Sequence, residues 1–149
     1  MTTPVSGGCA CGAIRYECSA APLVSLNCHC RDCQRATGSA FASVLVVPAD
    51  ALKWTKGTPK YHTVKADSGN STSRGFCSEC GSLLLLKVSA VPTISSIAAA
   101  SLDDPSWHKP TVDFYAASAQ PWDYLNPALR KFERSPTEEQ IQELLTARG

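Results

Sequence analysis

The chain has almost no excess of charge, no long apolar run, no leader-like start and no internal repeat, and each absence removes a class of function. Fourteen Lys and Arg stand against thirteen Asp and Glu, a formal charge of +1. So even a balance offers neither the basic face that nucleic acid requires nor a polybasic membrane patch. No nucleic-acid partner and no membrane partner is expected. The longest apolar stretches, VLVV at 44–47 and LLLLKV at 83–88, fall far short of the ~20 residues that span a bilayer, and both read as buried strands. The opening MTTPVSGGCACG has no basic and then apolar leader segment, so a cytoplasmic address is the expectation. GGCACG is not a phosphate loop, because its glycine spacing is wrong and no Gly-Lys-Ser or Gly-Lys-Thr follows. No solenoid period, low-complexity tract or long Pro- or Ser-rich linker divides the 149 residues. A chain of this length buries roughly 70% of its unfolded surface, and one domain is expected over 1–149, with a core at about 5–125.

What the chain does have is cysteine, eight in all. Without an export signal a disulfide framework is the poorer explanation, and metal binding or catalysis the better one. The spacings are C-x-C at Cys9 and Cys11, an isolated Cys18, C-x-C-x-x-C at Cys28, Cys30 and Cys33, and C-x-x-C at Cys77 and Cys80. FCSECGS has the form of a zinc knuckle, with Gly81 supplying a backbone conformation that other residues resist. That knuckle needs two further ligands. On an extended strand, residues two apart face the same side, so Cys9 and Cys11 are suited to supply them. If these four close one tetrahedron, Cys28, Cys30 and Cys33 form a second site with three protein ligands and a free position, the pattern of a catalytic rather than a structural zinc. Two zinc ions per chain follow from that grouping. Other groupings of eight thiols stay open, as does capping of the trio by Cys18 or a distant residue. His29 is poorly placed to cap it, since adjacent side chains diverge on an extended backbone. A redox role for either C-x-x-C lacks the βαβ context of thioredoxin-type motifs.

AIRYEC from Ala13 alternates as a half-buried strand should, and AFASVLVV and GSLLLLKV extend the β signal, with Pro and Gly punctuation between short strands. A mainly β fold is the consequence. PADALKW suggests a single helical turn after Pro48, with Ala51, Leu52 and Trp54 inward. SPTEEQIQELLTARG reads as a C-terminal helix at about 136–147, with Ser135 as N-cap, Pro136 first, Glu138 completing a capping box, and Ile141, Leu144 and Leu145 as the apolar stripe.

Taken together, GGCACGAIRYEC, NCHCRDCQRATGSAF, VVP, RGFCSECGSLL, LDDP and SAQPWD resemble the glutathione-dependent formaldehyde-activating enzyme family, which also includes centromere protein V. The resemblance runs from about Gly7 to Trp122. It implies a β-tent of small antiparallel sheets around zinc, one ion held by four cysteines and one, at the active site, by three. By motif, Cys9, Cys11, Cys77 and Cys80 would hold the structural ion, and Cys28, Cys30 and Cys33 the catalytic one. Family members often carry an HIW-like segment before the Ser-x-x-Pro-Trp motif, where this chain reads VDFYAASAQPW.

Three thiolates leave a zinc site at a formal −1, a weak Lewis acid but a good host for a fourth, substrate thiolate, which stays deprotonated and nucleophilic. With the resemblance, this points to a carbon–sulfur lyase acting on adducts of a small thiol such as glutathione with an aldehyde. The competing class is a non-catalytic zinc-binding module with a structural or partner-binding role. Candidate substrate contacts are Arg35, which suits a carboxylate, and Gly38 and Ser39 in the turn after the trio. Cys18 reads as a small buried hydrophobe. His62 and His108 read as packed or solvated residues, and Trp54, Trp107 and Trp122 as core or interface aromatics. Whether the chain forms a homodimer is open at this level.

Overall fold

A computed structural model of the chain describes residues 4–66 and 69–147. A three-stranded antiparallel sheet, β1 (Val5–Gly8), β2 (Arg15–Cys18) and β5 (Leu52–Lys56), runs in the order β1-β2-β5. The second sheet holds β3 (Val24–Cys28), β4 (Ala42–Pro48), β6 (Lys60–Lys65), β7 (Ser71–Phe76), β8 (Leu83–Val88), β9 (Ile94–Ala98), β10 (Val112–Phe114) and β11 (Arg130–Lys131). Its order is β11-β10-β3-β4-β9-β8-β7-β6. Pairing is antiparallel except around β10, which lies parallel to both β3 and β11. The fold is mainly β, as the alternating patterns predict. No helix among the described residues is long and apolar enough to cross a membrane.

Alternation along the strands sorts the large sheet into two faces. Leu45 and Val47 of β4, Leu85 of β8 and Ile97 of β9 turn toward the small sheet, joined by Leu84, the extra residue at a bulge between β7 and β8 that interrupts the alternation there, and they meet Val5, Ile14, Tyr16 and Cys18. Val24 and Leu26 of β3, Val44 and Val46 of β4, and Leu86 of β8 point the other way. Period-two side-chain alternation gives each strand one residue set per face, so the run VLVV serves two different apolar environments. Trp54 and Trp107 pack on the inter-sheet core, and the Trp54 ring meets Tyr16 edge-on at 5.8 Å. Trp122 lies outside the core, being 72% exposed.

Two α-helices lie among the described residues. The first, α1 (Arg31–Thr37), was not expected from the sequence; it is N-capped by Cys30 and ends at Gly38, whose φ is +67°. The second, α2 (Glu138–Thr146), starts two residues later than expected. Its N-cap is Thr137, whose hydroxyl accepts from the Gln140 amide while the Gln140 side chain accepts from the Thr137 amide. Thr-x-x-Gln is as good a capping box as the Ser135–Glu138 pair, and it lets both Glu138 and Glu139 sit in the first turn against the helix dipole. After Pro48 the single helical turn spans only Ala49–Ala51, and Leu52 and Trp54 already belong to β5.

Candidate metal centres and an adjoining chamber

The turn between β1 and β2 carries Cys9 and Cys11, and the turn between β7 and β8 carries Cys77 and Cys80. The sequence predicts an extended C-x-C arm. The structure instead folds it into a tight turn, in which the Gly12 amide donates to the Cys9 carbonyl and Gly12 has φ +79°. The knuckle behaves as expected: the Gly81 amide donates to the Cys77 carbonyl, and Gly81 has φ +78°. In both turns a glycine takes up the left-handed conformation that other residues resist.

The consequence is convergence. The four sulfurs lie within 4.8 Å of one another, with Cys9 to Cys11 at 3.6 Å and Cys11 to Cys77 at 3.8 Å. A tetrahedron with ~2.3 Å zinc–sulfur bonds has edges of ~3.8 Å, so the donor set and its spacing fit a closed tetrathiolate ion. Backbone groups already face the sulfurs: the Ile14 amide donates to Cys9 Sγ at 3.2 Å. Cys80 is held down to about 5, chiefly by hydrogen bonds from the Ser82 hydroxyl and amide.

Cys28, Cys30 and Cys33 form the second cluster, again with all sulfurs within 4.8 Å. Cys28 ends β3, Cys30 caps α1, and Cys33 lies in the first turn of that helix, its amide donating to Cys30 Sγ at 3.3 Å. Hydrogen bonds from the Cys28 and Cys33 thiols, aided by that amide and by Arg74, pull Cys30 down to about 2. Cys28, crowded by the same neighbours and buried, is pushed well up. One thiol of the three therefore takes charge readily and the others are costly to ionise, an arrangement that a bound cation would relieve. Both cysteine clusters can hold a metal ion.

His29 stands apart from both. Its side chain leaves β3 on the opposite face, where Nε2 is 2.8 Å from Asp113 Oδ1 and Lys131 Nζ donates to Asp113 Oδ2 at 3.0 Å. His29 and Asp113 are each only 1% exposed. They border a cavity of about 480 Å³ that also meets His108, whose Nε2 is 2.7 Å from Ser43 Oγ. His108 thus lines a cavity behind the strand rather than the one beside the trio, and His62 is exposed on β6. Cys18 is fully buried, its thiol 3.5 Å from the Ala20 carbonyl, and belongs to neither cluster.

Beside the trio opens a larger chamber of about 690 Å³. The outward face of the large sheet forms its floor, α2 stands over it, and Arg31, Arg35 and Arg74 mark its polar edge, with Asp32 and Glu138 as the acidic counterparts. Arg74 is the residue that sequence reasoning missed. It reaches across from β7, its Nη2 donating to Cys33 Sγ at 3.5 Å. Arg35 is exposed and also lines the chamber. Gly38 and Ser39 close α1, the Ser39 amide donating to Thr37 Oγ1 at 3.2 Å, and lie outside the chamber's lining. Gln34 ties this end together: its side chain donates to the His29 and Ser118 carbonyls at 2.7 and 3.0 Å and accepts from Gln120 at 3.0 Å.

A family model described as glutathione-dependent formaldehyde-activating enzyme matches residues 4–118. The chain belongs to the glutathione-dependent formaldehyde-activating enzyme family. A Penicillium rubens relative named "Putative glutathione-dependent formaldehyde-activating enzyme" is 35% identical over 88 residues, which are 53% of this chain and 45% of that protein. The match thus spans less than half of the fungal relative. A crystallised Rhodobacter sphaeroides protein superposes with a TM-score of 0.52 at 20% identity, covering 66% of this chain and 87% of that one; at that identity the likeness speaks for the fold. Both candidate centres and the β7–β8 knuckle fall within the segment that the family model matches.

Proposed function

We propose that this family member is a zinc-dependent carbon–sulfur lyase acting on adducts of a small thiol, glutathione in the first instance, with an aldehyde. The observation that carries the reading is the three-thiol cluster at the edge of a chamber. Its ligand count is one short of a closed site, and a cationic rim lies next to it. Cys9, Cys11, Cys77 and Cys80 are assigned to a structural zinc, and Cys28, Cys30 and Cys33 to a second one. Zinc held by the trio would supply a position at which a thiol sulfur is stable as the thiolate at neutral pH. In the lyase direction the carbon–sulfur bond of a hydroxyalkyl thioether breaks and its electron pair stays on sulfur. The hydroxyl proton is lost as the carbonyl forms, and thiol and aldehyde separate with no change of oxidation state. Arg74 counters negative charge at the trio, and Arg31 and Arg35 suit the carboxylates of a peptide thiol. The chamber shields the reacting bond from water, and the work is assigned to the 149 residues as one unit.

Protein purified without chelator is expected to carry about two zinc ions per chain, to bind glutathione saturably in calorimetry, and to speed aldehyde release from a hydroxyalkyl glutathione adduct. Cys30→Ser is expected to remove the binding and the rate together. A single tightly held ion with no thiol binding would make the chain a zinc-binding module. No metal, with ready disulfide formation, would make it a redox protein.

A further inference from the structure

The chamber beside the trio is larger and more apolar than a one-carbon aldehyde needs. Val24, Leu26, Val44, Val46 and Leu86 present aliphatic surface from the sheet, with Ile94 at the β9 end. From the other side α2 turns Ile141, Leu144 and Leu145 toward the same space, yet no residue of α2 is buried. An amphipathic helix ordinarily docks its apolar stripe directly on a sheet, because interiors pack to crystal-like density and unfilled gaps forfeit dispersion contacts. Here Leu144 and Leu145 touch the sheet-face cluster from one side, yet a chamber of about 690 Å³ is left between the two apolar walls, within the ~300–1,000 Å³ of small-molecule sites.

The polar part of a peptide thiol does not belong on such walls. Amide and carboxylate groups buried against Val and Leu would go unpaired at considerable cost, whereas the rim offers Arg31, Arg35 and Arg74. That division leaves the aliphatic space to the other half of the adduct. We propose that the carbon partner is an aldehyde bearing an apolar substituent of several carbons, seated between the large sheet and α2 while its thiol half lies along the arginine rim. This rests on the lyase reading above, and it sets that reading's substrate class.

Calorimetry on the zinc-loaded protein with glutathione, S-methylglutathione and S-hexylglutathione tests it without turnover. Each buried methylene raises affinity by up to about fourfold. With partial burial, S-hexylglutathione is expected to bind at least about 30-fold more tightly than the S-methyl compound. Ile94→Trp, which fills the chamber from a half-buried position, should collapse that ratio and leave S-methylglutathione affinity within about twofold. If Ile94→Trp misfolds, Leu144→Ser, at a half-buried position on the α2 wall of the chamber, serves instead and should cut the ratio severalfold. Equal affinity for the two S-alkyl compounds, with glutathione still bound, would overturn the apolar pocket and leave the thiol reading standing. Chain-length dependence measured with ethanethiol and hexanethiol, with no binding of glutathione, would keep the pocket and overturn glutathione as the thiol. No binding by any of these compounds would overturn both.

Discussion

Arg74 and Arg35 show how a single side chain's task depends on where its strand or helix carries it. Both lie near the trio, but Arg35 sits on the exposed side of α1 while Arg74 donates to Cys33 Sγ and helps lower Cys30. A partly desolvated guanidinium beside negative charge is worth more than an exposed one. Arg74→Met is expected to weaken glutathione binding about tenfold with both metal ions retained, and Arg35→Met by no more than about threefold; calorimetry paired with metal analysis separates the two. An equal loss from both variants would mean that Arg74 has no special role as charge partner of the trio. At this scale the sequence was legible where chemistry is local. C-x-C-x-x-C and FCSECG announce ligand clusters by spacing alone, and the neighbours of His29 already turn it away from the metal. Arg74 was illegible because it lies 41 positions from Cys33. Only the pairing of β7 with β8, and of β8 with β9 and β4 beyond, sets it opposite the trio.

At the scale of elements, the runs that became β2, β4 and β8 were readable, whereas β5 was hidden in PADALKW and the short helix was not legible. RDCQRAT is too brief to show an amphipathic period, and its N-cap is a cysteine rather than the Ser, Thr, Asp or Asn that usually signals a start. The hairpin of β1 and β2 shows a different kind of dependence, on a residue far along the chain. Asp103 receives a forked pair of hydrogen bonds from Arg15 at 2.8 and 2.5 Å, and one from the Ser6 hydroxyl at 2.8 Å. The adjacent Leu102 bridges to Gly7. The Arg15 hydrogen bonds, followed by that from Ser6, hold the Asp103 carboxyl down to about 2. A carboxylate depressed on folding stabilises the native state above its ordinary value near 4, and that contribution fades as pH falls toward 2. The pair is 37% and 48% exposed, so the effect is modest. Asp103→Asn is expected to cost under about 1 kcal/mol at pH 7, with the gap between variant and parent closing between pH 4 and pH 2. Urea unfolding of both proteins across that range measures it, and a gap that widens on acidification would contradict the assignment.

For the molecule as a whole, the two cysteine clusters differ in what they join. Cys9 and Cys11 belong to the hairpin of the small sheet, Cys77 and Cys80 to a hairpin of the large one, and Cys9 and Cys77 are themselves part of the core between the sheets. An ion in that cluster would cross-link the two sheets at the edge of their shared core. The trio joins only β3 to α1, neighbours in the chain that the backbone already holds together. Closing a contact between distant segments removes more freedom from the unfolded chain than closing one between adjacent segments. Zinc bound at the four-cysteine cluster would accordingly be coupled to folding, at ~10–16 kcal/mol for a structural site against a total stability of ~5–15 kcal/mol. Cys77→Ala is therefore expected to unfold or aggregate the protein and lose both ions, whereas Cys30→Ala should keep a cooperative unfolding transition within about 2 kcal/mol of the parent and lose one. Chemical denaturation followed by tryptophan fluorescence, which Trp54 and Trp107 report from the inter-sheet core, reads the first outcome. Metal analysis reads the second. Equal damage from the two substitutions would mean that the trio also holds the fold, and the division of labour between the clusters would fail.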